Sequence, residues 1–137
     1  MRLYVDSSAL VKRYVAEPGA EEVREAMTAA GEWVASRIAF TEVVRALGAG
    51  DPRGSGPVSR FRSEWPSFLV VDVDQRLAEE AAELALEHGT RTLDSLHLAS
   101  ALAVAEGPFA LATWDARLWE AARRSGLALI PGRAPRD

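Results

Sequence analysis

Four carboxylates are the side chains of this chain best suited to chemistry: Asp6, Glu42, Asp94 and Asp115. Each lies where the sequence turns from an extended stretch into a helix, or belongs to a helix with apolar neighbours. Hard oxygen donors gathered at one edge of a small α/β sheet are what a divalent cation such as Mg²⁺ or Mn²⁺ requires. Competing chemistries lack their residues. There is no cysteine, hence no disulfide, no thiolate nucleophile and no Cys-ligated zinc. His88 and His97 have no helical ligand spacing, fall on apolar stretches and read as satisfied core histidines. Ser7 and Ser8 form no Gly-x-Ser-x-Gly elbow, and no glycine-rich phosphate loop is present.

The elements that must position these residues follow from periodicity and punctuation. Residues 2–5 read as a strand ending at Asp6, after which Ser7 and Ser8 offer caps for a helix over 9–16. Pro18-Gly19 breaks that helix, and a second runs over 20–30. A strand at 33–35 leads to Ser36, which can cap a helix over 37–48. The stretch 48–57, rich in Gly, Pro and Asp, reads as a loop, with a helical turn at 60–65. A third strand at 68–71 precedes an amphipathic helix that Asp74 caps and Gly89 ends. Residues 92–106 are apolar nearly all round, which marks a buried helix. A strand at 109–113, a helix over 115–125 with Arg123 and Arg124 in its last turn, and a strand at 127–130 complete the series. Strands alternating with helices predict an α/β fold of three layers, α/β/α, around a mostly parallel five-stranded sheet. One domain over 1–131 accounts for the chain, and the tail 132–137 is expected to be disordered.

Bulk properties bound the partners. At 137 residues the chain can bury about two-thirds of its unfolded surface. No run approaches a membrane span, and the polar start is unlike a signal peptide, so the cytoplasm is the expected compartment. The net charge of −4 argues against a protein that grips nucleic acid with its whole surface. A nucleic-acid role must then rest on a local basic patch or on phosphates bridged by metal. Fifteen of the sixteen basic residues are arginine, whose planar fork suits phosphate, although coding bias explains the skew equally well.

Each carboxylate has a plainer reading beside the chemical one. Asp6 and Asp115 lie at or just past the carboxyl ends of strands, where open parallel sheets bind ligands, yet Asp is also among the best helix caps. Asp94 sits in the first turn of a helix too apolar to tolerate a bare carboxylate unless it is paired or bound to metal. It also suits the positive end of that helix. Glu42 shares a helix face with Ile38 and Arg45 and, taken alone, reads as a solvated glutamate. Asp72 points away from the core and Asp74 is a cap. Trp114 and Trp119 have base-stacking surfaces, with core packing favoured for Trp119.

Four segments, Val5-Asp6-Ser7-Ser8-Ala9-Leu10-Val11-Lys12, Thr41-Glu42-Val43-Val44-Arg45-Ala46-Leu47, Leu93-Asp94-Ser95-Leu96-His97-Leu98-Ala99-Ser100-Ala101 and Thr113-Trp114-Asp115-Ala116-Arg117-Leu118, resemble in order the motifs of the PIN domain, and more narrowly the VapC-type toxins. The resemblance spans residue 2 to about 130. It implies a metal-dependent ribonuclease with a three-layer fold, and an acidic cluster of Asp6, Glu42, Asp94 and Asp115 that holds Mg²⁺ or Mn²⁺. It also implies a small hydroxyl beside the metal at Ser7 or Thr113, a small antitoxin partner that blocks the site, and a homodimer. Arg37, Arg45, Arg91 and Arg117 lie near the motifs and could contact RNA phosphates. The segment from Gly48 to Trp65 departs from the pattern, being short where similar chains carry a longer helical pair. A phosphohydrolase of the aspartyl-phosphate type fails on Ser8, which stands where a second Asp is needed, and on the absence of a late lysine. A PIN-like module that binds RNA or protein without cutting is the alternative, opposed by the four filled acidic positions.

Overall fold

Alternation along the first strand sets the two faces of the sheet. Leu3 and Val5 point into one apolar cluster and Tyr4 into the other, and all three are fully buried. The computed structural model describes residues 1–49 and 56–136. Its strands are β1 (Arg2–Val5), β2 (Glu32–Ser36), β3 (Leu69–Val71), β4 (Phe109–Ala112) and β5 (Ala128–Ile130). The helices are α1 (Ser7–Tyr14), α2 (Ala20–Ala29), α3 (Arg37–Gly48), α4 (Pro57–Glu64), α5 (Gln75–His88), α6 (Thr92–Ala103) and α7 (Ala116–Arg124). The sheet order is β3-β2-β1-β4-β5 with every pairing parallel, as the alternation of strands and helices predicts.

Side chains from α1, α2, α3 and α4 pack on one face around Leu10, Val23, Met27, Val43 and Phe61. Leu98 and Ala101 of α6, with Leu118 and Ala122 of α7, cover the other face. Leu77 and Ala81 of α5 then pack on Ala99 at the outside of α6. This is the expected α/β/α arrangement. Among the described residues no helix is long and apolar enough to cross a membrane.

The order reverses beside β1. The chain moves from β1 to β2 and β3 on one side, then returns to place β4 and β5 on the other. A crevice therefore opens at the carboxyl ends of β1 and β4, the position where such sheets bind ligands.

Three local expectations change. Asp6 itself caps α1: its backbone is extended (φ −80°, ψ 177°), its carboxylate accepts from the Ala9 N–H, and Ser7 and Ser8 lie inside the helix. The cap is the last extended residue of the strand, so the serines come too late to serve. The segment before β3 is a full helix, α4, with Pro57 in its first turn and Val58 and Phe61 buried three residues apart. An aromatic run from Tyr14 through Phe61, Phe40, Trp65 and Phe68 to Trp33, with ring centroids 5.3–5.7 Å apart, ties α4 to the body. Most of the loop expected at 48–57 lies outside the described residues, and Gly48 belongs to α3. Finally, α6 ends at Ala103, with the Val104 N–H bonded to the Ala101 carbonyl.

Candidate active site

Asp6, Glu42, Asp94 and Asp115 line one cavity of about 430 Å³ together with Ser7, Ser8, Arg91, Leu93 and His97. Residues from four helices and two strand ends thus reach a common space. Sequence order alone does not dictate this, because Glu42 comes from α3 and Asp94 from α6, on opposite faces of the sheet.

Asp6 is the most constrained. It is 3 % exposed, and both oxygens are engaged. Oδ1 accepts from Ser8 Oγ at 2.7 Å and from the Ala9 N–H at 2.9 Å, while Oδ2 accepts from Thr113 Oγ1 at 2.5 Å. The two hydroxyls are themselves held by the turn after β4: the Trp114 N–H donates to Ser8 Oγ and the Asp115 N–H to Thr113 Oγ1. Asp6 and that turn therefore form one unit joining the ends of β1 and β4. Burial pushes the Asp6 carboxyl above its ordinary range, against the lowering effect of His97, Thr113, Ala9 and Ser8. Of the two positions expected to carry a hydroxyl beside the metal, Thr113 bonds to Asp6 and Ser7 lines the cavity.

Asp115 caps α7, its Oδ1 accepting from the Arg117 and Leu118 N–H groups, while Oδ2 faces the cavity. Asp94 lies in the first turn of α6 and is 7 % exposed. Arg91 joins the two: Nε donates to Asp94 Oδ2 and Nη2 to Asp115 Oδ2, both at 3.1 Å. Glu42, half-buried, accepts from His97 at 2.7 Å. Asp6 and Asp115 therefore each cap a helix and also line the cavity, so capping does not remove either from it.

The donor set suits a hard divalent ion: every candidate ligand atom is a carboxylate oxygen. A cation already bridges two of them in the form of the Arg91 guanidinium. With the side chains turned as they are, no three His, Asp or Glu groups among the described residues stand close enough to share one ion. An ion that took Asp94 Oδ2 and Asp115 Oδ2 as ligands would displace Arg91 from both.

Among the other arginines, Arg37 pairs with the exposed Asp72 at 2.7 Å, and Arg45 and Arg117 are exposed. Trp119 is buried, as expected, and donates to the Pro131 carbonyl. Trp114 is half-buried against Gly19 with the Lys12 ammonium 5.5 Å from its ring centroid. His88 lies away from the cavity. His97 was legible only as a core histidine, yet its ring lines the cavity. Its position three residues after Asp94, on the same helix face, was the available signal.

A family profile described as PIN domain matches residues 3–125. Ribonuclease VapC46 of Mycobacterium tuberculosis is 34% identical over 128 residues, covering 93% of this chain and 95% of that protein. Ribonuclease VapC45 of the same species is 30% identical over 138 residues, covering 96% of each. A solved toxin–antitoxin complex from Klebsiella pneumoniae shares the fold with a TM-score of 0.66 at 22% identity, covering 82% of this chain and 86% of that one.

Proposed function

The chain belongs to the PIN domain family, and from that premise we propose that it is a metal-dependent endoribonuclease, the toxin of a toxin–antitoxin pair. One observation carries the reading: four carboxylates from separate parts of the chain line a single cavity where the strand order reverses. The relatives' ribonuclease names and the toxin–antitoxin neighbour support the substrate class and the partner. A module that binds without cutting would keep Asp6 and Asp115 as helix caps but gives no reason for Glu42 and Asp94 to line the same cavity.

Asp6, Asp94 and Asp115 would hold Mg²⁺ or Mn²⁺, with Glu42 binding the same ion or orienting the attacking water. The ion would polarise the phosphodiester, activate water and offset charge on the leaving oxygen. Asp6 supplies a carboxylate whose place is fixed by three hydrogen bonds, so that one side chain would reorganise little on binding. Asp94 and Asp115 supply the charge that now neutralises Arg91. Arg91, which lines the cavity, and the exposed Arg117, two residues past Asp115, would contact RNA phosphates and so place an acidic polymer over an acidic cavity. A cognate antitoxin would act by covering the cavity.

Purified protein should cleave single-stranded RNA with Mg²⁺ or Mn²⁺ and stop when chelator is added. Asp94→Asn should remove cleavage and growth inhibition while leaving the unfolding transition in place. Cleavage that persists in chelator would refute the metal role, and an undiminished Asp94→Asn would take that residue out of the site.

A further inference from the structure

Three of the four cavity carboxylates are fixed by their own surroundings: Asp6 and Asp115 as helix caps, Asp94 by the first turn of α6 and Arg91. Glu42 is different. It projects from the middle of α3 on a longer, more rotatable side chain, where no helix end can hold it. The group that holds it is His97, whose Nε2 lies 2.7 Å from Glu42 Oε1. His97 is 3 % exposed, and its Nδ1 lies 2.7 Å from the hydroxyl of Tyr4, which has no exposure at all. The two rings meet edge to face at 81°. A buried chain, Tyr4–His97–Glu42, thus runs from the central strand to the cavity.

Donor accounting orders this chain. A carboxylate only accepts, so the ring nitrogen facing Glu42 must carry hydrogen. In a neutral imidazole the other nitrogen is then an acceptor, and the Tyr4 O–H donates to it. The Tyr4 hydroxyl is fully buried with His97 Nδ1 2.7 Å away, so its hydrogen is directed at that nitrogen. A histidine needed only for packing would not require a partner inside the cavity.

We infer that His97 is a positioning residue for Glu42, and that Tyr4 selects the His97 tautomer that does the positioning. The inference rests on the ribonuclease reading, in which Glu42 binds the ion or orients water. Without the Tyr4 hydroxyl the ring is free to place its hydrogen on Nδ1. A lone pair would then face the Glu42 carboxylate, and Glu42 would swing away.

The test uses the full chain labelled with ¹⁵N in its imidazoles, with the variants Tyr4→Phe, His97→Phe and Glu42→Gln. Imidazole ¹⁵N spectra should show His97 with hydrogen on Nε2 in the wild type and a mixture of tautomers in Tyr4→Phe. Glu42→Gln should move the Nε2 signal. On a defined RNA, Tyr4→Phe should lower kcat roughly tenfold, the scale of lost outer-shell support, with KM within about twofold. In a Glu42→Gln background, Tyr4→Phe should cost nothing further, because the group it positions is already gone. Equal losses in both backgrounds, or a wild-type ring with hydrogen on Nδ1, would overturn the inference. Should His97→Phe fail to fold, Tyr4→Phe still decides the matter, since it removes a single atom. A wild type that cleaves no RNA would strike the ribonuclease reading instead, and the spectra would still decide whether His97 holds Glu42.

Discussion

Replacing Arg91 with alanine should tighten the binding of Mn²⁺ while weakening the binding of RNA. The guanidinium lies 3.1 Å from Asp94 Oδ2 and 3.1 Å from Asp115 Oδ2, and its side chain is 62% exposed. An ion that uses these two oxygens must first displace it. Exposed ion pairs hold their partners weakly, each by a factor of roughly two to five in an equilibrium constant. Removing both pairs, and one positive charge from beside a doubly positive ion, should tighten Mn²⁺ roughly five- to tenfold at low salt. At 1 M salt, where the screening length is about 3 Å, the difference should shrink to about twofold. Titration of wild type and Arg91→Ala with Mn²⁺, followed calorimetrically at both salt concentrations, measures this directly. The Michaelis constant for RNA should move the opposite way, upward, because the displaced Arg91 would be a phosphate contact. Equal or weaker Mn²⁺ binding by Arg91→Ala at low salt would show that Arg91 does not compete for the ion.

Two further outcomes concern the scaffold. Gly19 has φ +92°, and a Cβ there would lie 2.8 Å from Cε2 and Nε1 of Trp114, so Gly19→Ala should cost about 2–4 kcal/mol in urea unfolding; an unchanged midpoint would mean that the α1–α2 turn shifts freely. Glu64 accepts from both Nε and Nη2 of Arg13 and from the buried Tyr14 hydroxyl, and the Arg13 bonds first, then Tyr14, hold its carboxyl below the ordinary range. A depressed folded-state pKa gives stability that is present above the unfolded value and lost as pH falls through the folded one. Wild type should therefore exceed Glu64→Gln by about 1–2 kcal/mol near neutrality, a figure discounted because the side chain is 31% exposed. The gap should close as pH drops from about 5 toward 3, and a gap independent of pH would point to packing rather than charge.

The parts of this molecule legible in the sequence are those written in local spacing. The alternation of Leu3, Tyr4 and Val5 gives a strand with two buried faces, and Ser36 and Asp74 announce helix starts that form as expected. Asp6 and Asp115 stood out because the carboxyl ends of parallel strands are where such sheets bind ligands, and Asp94 because a carboxylate on so apolar a helix needs a partner. One feature was left open and another was not legible. Whether Asp6 or a serine caps α1 depends on where the backbone stops being extended, a boundary that residue types set only loosely. The bond between Glu42 and His97 joins residues on helices that cover opposite faces of the sheet. No local period encodes that pairing, and an apolar neighbourhood around His97 reads the same whether its partner is a backbone carbonyl or a cavity glutamate. Arg91 was singled out only as an arginine near the motifs; its bridge across Asp94 and Asp115 depends on α6 and α7 meeting at one edge.

Asp6 shows why such a site sets stability against readiness to bind. Three donors converge on its carboxylate, an arrangement that on its own would favour the ionised form, yet burial outweighs them and raises its pKa. Three more carboxylates line the same cavity, so the folded protein gathers charge that an unfolded chain would spread through water. Arg91 relieves part of this at Asp94 and Asp115 but makes no bond to Asp6. A divalent cation bound only by the folded state would relieve the rest, adding about 2.7 kcal/mol when present at a hundred times its dissociation constant. The clamp of Ser8 and Thr113 on Asp6 therefore does more than cap a helix. Through Thr113 and the Trp114 N–H it ties the residue after β1 to the turn after β4, so the Asp6 carboxylate is held at the cavity by the fold itself.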